Sequence, residues 1–442
     1  MQVPYQKQVN QDESNSAGSN SAAAAAPAAA APAAAAGDPD ISPSNITINF
    51  GQFVPNFRNA FAIDFSQFAT NFRNAFASSS SGVSLSGLFF LLIVIVTVGY
   101  LFVTQYTLQQ TEKGSVNTIE TARQLQSIKE ANREQPLRNF YIKTALNCCC
   151  LGEWKNNYVD ITALEYVIKQ GYRCLDFEIY SLNNVPIVGA STKMEDFHHT
   201  ETFNHLNFAD VCTKINELAF TQAPNKDDPL LINLRIKSDN KDVNFVKKII
   251  ESIKTFGNKL LGPECNYEFG GYNLGMVPIK KFMGKVIIMI DISNPIVKTN
   301  CPSKDSNSDS CLHQYVNFGT GSPFLHDLKY EMNVKNAPNM NELIDHNKKN
   351  MSIVFPDPPY NVNVNFNVAK AFGCQLIGMM PLIKDPNLKL YNEVFNKSGS
   401  AFKLKPSELC YQPVVVETPK SQNPALSFAT RQFITPYTKF KV

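Results

Sequence analysis

The sequence lacks an excess of charge of either sign and lacks clustered cysteine pairs. Its 442 residues carry 41 Lys and Arg against 38 Asp and Glu, a formal net charge of +3 at pH 7. That balance provides no strongly basic surface, so no nucleic-acid partner is expected. The ten cysteines include no Cys-x-x-Cys spacing, which argues against a zinc finger or a densely bridged small domain. Cys301 and Cys311 flank a polar loop and are placed to form a disulfide; we expect two reduced thiols instead.

Charge is also missing from one long interval, since no charged residue lies between Arg73 and Glu112. Within it, residues 83–103 supply the roughly 20 apolar residues that a membrane-spanning helix needs. Tyr100 and Tyr106 lie where an aromatic belt would meet the bilayer surface. The alternative is a buried core helix, but such helices normally carry a polar face and this one has none. The sequence therefore predicts a single-pass membrane protein with the lipid bilayer as a partner, in an orientation that the flanking charges do not decide.

Two unusual segments precede the predicted membrane helix. Residues 1–49 are rich in Ser and Asn and then almost purely Ala and Pro, which predicts a disordered arm. Residues 50–82 repeat the heptapeptide NFRNAFA, and phenylalanines from Phe50 to Phe76 recur every three or four positions, as on one face of a helix. This stripe suits a helix in the membrane interface or one that binds a protein partner. Packing against the chain's own domain is the alternative.

After the membrane helix, residues 104–136 read as a polar helical stalk, and from residue 137 apolar strands alternate with amphipathic helices. Strands are predicted at 173–180, 230–236, 285–292, 352–355 and 374–380, and helices at 160–170, 208–220 and 243–261. Alternation of this kind predicts an α/β fold with a parallel sheet and outer helices. Its length fits a (β/α)8 barrel over residues 137–415, with functional groups at the carboxyl ends of the strands. Residues 416–442 form a C-terminal tail that we expect to lie against another subunit.

Several short segments of this region resemble the two catalytic halves, X and Y, of eukaryotic phosphoinositide-specific phospholipase C. The X-like segments read GYRCLDFE (171–178), PLLINL (229–234) and MGKVII (283–288). The Y-like segments read LIDHNKKNMSIVFP (343–356), FGCQLI (372–377) and FKLKPSEL (402–409). They occur in the family's order across residues 138–412. The resemblance implies the family's distorted TIM barrel, here preceded by a transmembrane helix and a disordered arm.

The family uses two histidines and a bound Ca²⁺ to cleave a phosphodiester, and the resemblance places neither histidine in this chain. The first falls near Ala145 and Leu146, and the second falls on Ala190. General acid–base catalysis by histidine contributes about 10²–10⁴-fold in rate. We therefore expect no catalytic residue at either position.

The rest of the implied site is altered as well. Asn147, Asp176 and Glu178 remain, but a calcium carboxylate falls on Arg235, whose positive charge repels a metal that needs oxygen ligands. Other family positions fall on Met289 and Asp291, near the phosphate-binding lysines, and on Ile353 and Phe355, in place of the inositol-contacting Arg and Tyr. We expect no Ca²⁺ cofactor and an ion pair between Arg235 and the two acids, which lie at i and i+2 on one strand face. The alternative is a weak cation site of Asn147, Asp176 and Glu178.

A histidine-rich insertion follows the missing second histidine. It contains Glu195, Asp196, His198, His199 and His205, in a spacing that matches no zinc signature. We expect a solvated loop, with replacement of the lost base as the alternative. The remaining histidines, His313, His326 and His346, are scattered and are expected to be structural or exposed.

Two functions of different class follow. The first is a membrane-anchored, catalytically inactive phospholipase C-like barrel that serves as a structural or interaction module through the Phe50–Phe76 stripe or the barrel surface. The alternative is a residual or altered phosphoinositide phosphodiesterase that uses Asp176, Glu178 and His198. The Asn-rich style, the repeats and the emptied site resemble membrane proteins of large DNA viruses, which would imply a virion or an internal viral membrane.

Overall fold

The computed structural model of the chain describes residues 85–117, 125–194, 197–238, 242–266, 273–292, 294, 296, 311–357, 361–413, 417–421, 423 and 428–442. The predicted arm (1–49) and the Phe-striped segment (50–82) lie outside these residues and stay predictions. The first described element is helix α1, Leu85–Asn117. Its stretch Leu91–Gly114 has a mean hydropathy of 2.0 and is long and apolar enough to cross a membrane, while none of it is buried inside the structure. That exposure argues against a core helix.

Eight parallel strands form a nearly closed barrel, which confirms the predicted fold class. The strands are β1 Phe140–Ala145, β2 Cys174–Leu182, β7 Leu230–Ile236, β8 Val286–Asp291, β9 Phe318–Thr320, β10 Leu325–Lys329, β11 Met351–Phe355 and β12 Leu376–Met379. Their order around the sheet is β10-β11-β12-β1-β2-β7-β8-β9, with every neighbouring pair parallel. Within the described residues, no ladder joins β9 to β10.

Helices cover the outside of the sheet. They are α2 Ile161–Lys169, α3 Phe208–Leu218, α4 Val243–Lys254, α5 Met340–Lys349, α6 Phe366–Ala371 and α7 Pro386–Ser398. Their amphipathic patterns place one apolar stripe on the strands, as in α4, which buries Phe245, Ile249 and Ile253. The N-cap of α4 is Asp242, whose carboxylate accepts from the backbone N–H of Asn244 over 2.7 Å. This helix ends before the predicted residue 261 because Gly257 adopts a positive φ of 53°.

Short strands extend the carboxyl end of β2 into a hairpin. Strand β3, Val185–Gly189, runs antiparallel to β2, and the turn residues Asn183 and Asn184 have φ of 51° and 60°, as a two-residue primed turn requires. Strand β6, Leu206–Asn207, pairs with β3. Between them, β4 Ser191–Met194 and β5 Phe197–Thr200 form a separate antiparallel pair. The predicted loop at the histidine-rich insertion is therefore wrong in its backbone conformation.

Of the predicted helical stalk over residues 104–136, the part as far as Asn117 belongs to α1, and residues 118–124 lie outside the described residues. The described residues 125–136 contain a single 3₁₀ turn, Glu130–Asn132. Leu125 and Ile128 are 2% exposed, and the Ile128 N–H donates to Asp228 over 2.8 Å. Burying these two apolar side chains against the barrel outweighs the local preference for a regular helix.

The C-terminal region contributes one strand to the barrel sheet and a separate hairpin. Strand β13, Phe402–Leu404, pairs antiparallel with β1. Strands β14, Gln432–Ile434, and β15, Lys439–Lys441, pair only with each other, and all their residues are exposed. The rings of Phe433 and Phe440 stack across this hairpin with centroids 5.2 Å apart. The predicted contact of the tail with another subunit stays a prediction.

The cysteines differ from the expectation at one position. Cys311 is disulfide-bonded, so the prediction of a reduced thiol there is wrong. The other eight described cysteines carry thiols, and six of them are buried. Burial and nearby negative groups raise the pKa of the Cys148 and Cys150 thiols, which keeps both in the protonated, unreactive form.

Candidate functional site

Two neighbouring strands place the candidate site at the carboxyl end of the barrel. In the parallel ladder of β2 and β7, Asp176 lies opposite Asn233, and Glu178 lies opposite Arg235. Because alternate residues of a strand point to the same face, all four side chains project to one side of the sheet. The register of β2 and β7 therefore brings Asp176, Glu178, Asn233 and Arg235 together in one cluster.

The guanidinium of Arg235 occupies the centre of this cluster. Its Nε donates to Asp176 Oδ1 over 2.9 Å and its Nη2 to Asp176 Oδ2 over 2.5 Å. Its Nη1 donates to Glu178 Oε1 over 2.6 Å, and Nη2 also reaches Asn147 Oδ1 over 3.0 Å. The predicted ion pair is therefore present. We call Arg235, Asp176 and Glu178 the arginine triad.

The carboxylates of the triad have further donors. Asp176 accepts from Asn233 Nδ2 over 2.7 Å and from the backbone N–H of Asn147 over 3.3 Å. Glu178 accepts from the Tyr180 hydroxyl over 2.5 Å. The side chain of Asp176 is 0% exposed and that of Glu178 2%. Buried carboxylates are costly unless they are paired and hydrogen-bonded, and these two satisfy both conditions.

Charge and aromatic rings hold the guanidinium in its cationic form. Burial alone would lower the pKa of Arg235, but the charges of Asp176 and Glu178 outweigh it and raise that pKa. The guanidinium carbon lies 5.0 Å from the Phe355 ring centroid and 5.8 Å from that of Trp154, within the range of cation–π attraction. Arg235 is thus a permanent cation with five neighbouring side chains, three polar and two aromatic.

Two lysines, Lys237 and Lys329, lie near this cation. Burial, followed by the like charge of Arg235, lowers the pKa of Lys237. Lys329 Nζ lies 5.0 Å from the same Phe355 ring. The carboxyl end of the barrel therefore carries two further cationic side chains beyond the triad.

The positions expected for the family's histidines are closed by packing. Ala145 and Ala190 are 0% exposed and Leu146 is 1% exposed. Leu146 lies so close to β12 that a Cβ on Gly378 would come within 2.6 Å of its side chain. Glycine at 378 is therefore what leaves space for Leu146.

Most of the other positions predicted for the site are buried apolar residues of the barrel. Met289 on β8 and Ile353 on β11 are 0% exposed, and Phe355 is 2% exposed. Asp291, the last residue of β8, is only partly buried and pairs in register with Thr320 of β9. The structure thus brings Phe355 into contact distance of the triad and leaves Met289 and Ile353 as core residues.

The insertion and the scattered histidines divide between the two ends of the barrel. His198 and His199 lie on β5, in register with Lys193 and Thr192 of β4, while Glu195 and Asp196 lie outside the described residues. Burial lowers the pKa of His205.

At the opposite end, His326 and His346 stack with ring centroids 3.5 Å apart. Strand β10 and helix α5 thus bring together two histidines that lie 20 positions apart in the sequence.

A calcium ion at this site would be coordinated by the oxygens that surround Arg235. Asp176, Glu178 and Asn147 direct carboxylate and amide oxygens to one point, but the guanidinium fills that point and carries positive charge. These residues do not fit Ca²⁺ as they stand. Over the part of the chain that the structure describes, no group of three or more His, Cys, Asp or Glu is placed to hold a metal ion.

Four residues of the site had escaped the sequence analysis. Asn233 and Tyr180 lie two residues from Arg235 and Glu178, so alternation along each strand was an available signal. Trp154 lies in the loop after β1 and Gly378 lies on β12, and neither position carries a local pattern. Trp154 is identified only by its distance from Arg235, and Gly378 only by its distance from Leu146.

Residues 133–290, which contain β1, β2, β7 and β8, match the family model for the phosphatidylinositol-specific phospholipase C X domain. This part of the barrel therefore resembles phosphoinositide-specific phospholipase C. The match includes the entire arginine triad and both strands that carry it. No curated protein matches the chain significantly.

Solved phospholipase C structures are similar to the barrel at low identity. S. officinalis PLC21 is 17% identical with a TM-score of 0.49, covering 63% of this chain and 38% of its own. The calcium-dependent phosphoinositol-specific phospholipase C from Pseudomonas sp. is 13% identical with a TM-score of 0.35, covering 63% of this chain and 98% of its own. The chain thus spans 38% of the S. officinalis protein.

Proposed function

We propose that this chain is a membrane-anchored, catalytically inactive phospholipase C-like barrel that serves as a structural or interaction module. The observation that carries the proposal is the arginine triad. Arg235 lies between Asp176 and Glu178 with contacts of 2.5 and 2.6 Å, where the resemblance expects a metal ligand. A cation supplied by the protein itself occupies the space in which a metal would act as a Lewis acid.

The positions around the triad support the same proposal. Catalysis in this family depends on proton transfer by two histidines, and the resemblance places Leu146 and Ala190 there. A buried Leu and a buried Ala neither accept nor donate a proton. Phe355 stands in place of an inositol-contacting Tyr and contacts the guanidinium instead.

Anchoring rests on α1. The apolar part of this helix is exposed, carries no charge before Glu112 and continues without interruption to Asn117. A helix of that length and composition is stable in hydrocarbon and poorly soluble in water. The Phe50–Phe76 stripe, the barrel surface and the C-terminal hairpin are the proposed places for a protein partner, and a place in a virion membrane stays a prediction.

The decisive experiment is an activity measurement on the full chain in detergent. Labelled phosphatidylinositol and its 4,5-bisphosphate are incubated with the protein, with and without Ca²⁺, and released headgroup is counted. We expect no release above that of a mock purification. Turnover by the wild type that Asp176→Ala abolishes, in variant protein that circular dichroism shows to be folded at the assay temperature, would show an active phosphodiesterase and overturn the proposal.

Two controls separate the parts of the proposal. Lys335→Ala, which breaks only an exposed ion pair with Glu331 on the surface, reports contaminating activity, because a contaminant is unaffected by either substitution. Flotation of the protein with lipid vesicles after alkaline washing tests the anchor separately. Release by the alkaline wash contradicts membrane anchoring whatever the activity result.

A further inference from the structure

Helix α1 does not end at the membrane, since its last turns dock on the side of the barrel. The Tyr158 hydroxyl donates to Gln105 Oε1 over 3.0 Å. Lys113 Nζ lies 2.6 Å from Asp160 Oδ2, and Asp160 also caps α2 by accepting from the Thr162 N–H over 3.0 Å. Hydrogen bonds from Lys113 and Thr162 lower the pKa of Asp160, although burial, the largest single effect, opposes them.

Apolar packing completes this contact. Val116 is 4% exposed and forms a buried cluster with Leu151 and Ala163, on which Leu382 also packs. Such burial stabilises by about 25 cal/mol per Å² of apolar surface. The cluster brings the last turn of α1 against the first turn of α2.

The order of the contacts gives the direction of α1. Along α1, Gln105, Lys113 and Val116 contact Tyr158, Asp160 and Ala163 in turn. Helix α2 starts at the carboxyl end of β1 and leads back to the amino end of β2, as in every βα unit of such a barrel. Tyr158 and Asp160 lie in the loop at the carboxyl end of β1, and only Ala163 lies on α2. Because α1 meets this loop before it meets α2, its apolar amino-terminal part projects beyond the carboxyl end of the barrel.

Helix geometry then sets the distance to the bilayer. At about 1.5 Å per residue, residues 85–103 span about 28 Å, which matches the roughly 30 Å hydrocarbon core. The ten residues from there to Lys113 add only about 15 Å. Because Gln105 contacts Tyr158 of the barrel, the edge of the hydrocarbon core must lie before Gln105 along α1.

Exposed apolar side chains are concentrated on the same end. Over the described barrel, five apolar side chains are exposed at or after the carboxyl end of a strand: Leu182, Val243, Met332, Met340 and Val362. At the amino end the comparable exposed side chains are Met276 and Tyr411. Apolar side chains on a surface that faces the lipid headgroups are removed from water, which is favourable.

We infer that α1 is a rigid strut that holds the carboxyl end of the barrel, with the arginine triad, against the bilayer that α1 spans. The surface formed by Leu182, Val243, Met332, Met340 and Val362 contacts the lipid interface. This inference rests on the proposed membrane anchoring and adds to it a fixed orientation of the barrel.

Tryptophan fluorescence in vesicles of phosphatidylcholine brominated on its acyl chains tests the orientation. The chain has one native Trp, and Trp154 is only 3% exposed, so the wild type supplies the baseline. Met332→Trp and Val362→Trp probe the carboxyl end. Met276→Trp probes the amino end at a site 56% exposed, the same exposure as Val362.

We expect quenching of the Met332→Trp and Val362→Trp variants to exceed that of Met276→Trp by roughly twofold or more, because interfacial side chains reach about 5–10 Å below the headgroups. Equal quenching of all three, or stronger quenching of Met276→Trp, overturns the inference. Both results require protein that floats with the vesicles, so failure of anchoring is recognised separately by a protein that does not float.

A flexible insertion tests the strut itself. About ten Gly and Ser residues inserted after Thr104 leave the docking contacts and the span intact but uncouple them, because such linkers behave as random coils. We expect the difference between Val362→Trp and Met276→Trp to disappear. A difference that persists shows that α1 does not set the orientation and overturns the strut.

Discussion

Arg235 and Asp176 form a bidentate pair, in which Nε donates to Oδ1 over 2.9 Å and Nη2 to Oδ2 over 2.5 Å. The planar fork of the guanidinium matches the two carboxylate oxygens, a geometry that a lysine cannot reproduce. Asp176 has no exposed surface in this arrangement, and the Arg235 side chain is 13% exposed. The pair therefore links β2 to β7 through charges that are largely removed from water.

Removing the cation is expected to destabilise the barrel. Arg235→Ala leaves two buried carboxylates without a counter-charge, a change that typically costs about 3–5 kcal/mol. Chemical denaturation of the detergent-solubilised chain, followed by circular dichroism, measures the loss. Lys335→Ala, which breaks an exposed pair, is the matched control and should cost under about 1 kcal/mol. Equal losses for the two variants would show that the triad does not stabilise the fold.

The same variant should acquire a response to calcium. Without the guanidinium, oxygens of Asp176, Glu178 and Asn147 surround a space with net negative charge, which suits Ca²⁺. We expect millimolar-range Ca²⁺ to raise the melting temperature of Arg235→Ala and to leave that of the wild type unchanged, since only the variant binds the ion. An equal rise in both proteins would contradict the view that Arg235 excludes the metal.

Gly378 is expected to tolerate no side chain while Leu146 is present. A Cβ at this position would lie 2.6 Å from Leu146, so Gly378→Ala should destabilise by about 1–3 kcal/mol through overpacking. Adding Leu146→Ala should recover part of that loss, which a double-mutant cycle in urea quantifies. Gly114→Ala, where nothing lies within 4 Å of the added Cβ, is the control. Additive losses would exclude the steric explanation.

The stacked histidines at the amino end of the barrel should make stability fall in acid. Burial, followed by the charge of His326, lowers the pKa of His346 to about 4, and burial lowers the pKa of His326. The folded state therefore binds fewer protons than the unfolded state, so stability is complete above about pH 6.5 and declines as pH falls towards 4.

Melting temperatures between pH 7.5 and pH 4 measure this decline. His346→Phe keeps an aromatic ring against His326 and removes the titrating group, so its melting temperature should change less over that interval. A steeper decline in His346→Phe than in the wild type would contradict the assignment. His205, whose pKa is also lowered by burial, contributes equally to both proteins.

Patterns local to a segment predicted most of the barrel. The apolar run Leu230–Ile236 was predicted as a strand with the bounds that the structure has, and Asp160–Gln170 as a helix whose ends prove to be its two caps. Asp176 and Glu178 were placed on one face by alternation alone. In each case burial of neighbouring residues in the sequence decides the conformation, so a period of two or 3.6 residues carries the information.

Tertiary contacts decided the rest. Residues 125–136 have a polar, helix-like composition, yet Leu125 and Ile128 insert into the barrel surface and the segment is not a helix. The stacking of His326 on His346, the packing of Leu146 on Gly378 and the docking of Lys113 on Asp160 join residues that lie 20, 232 and 47 positions apart in the chain. The energy of such contacts depends on which elements become neighbours, and no local pattern encodes that choice. The residue types in the sequence thus account for the eight-stranded architecture and for the chemical groups of the triad, whereas the path of α1 past the carboxyl end of the barrel follows from side-chain packing in three dimensions.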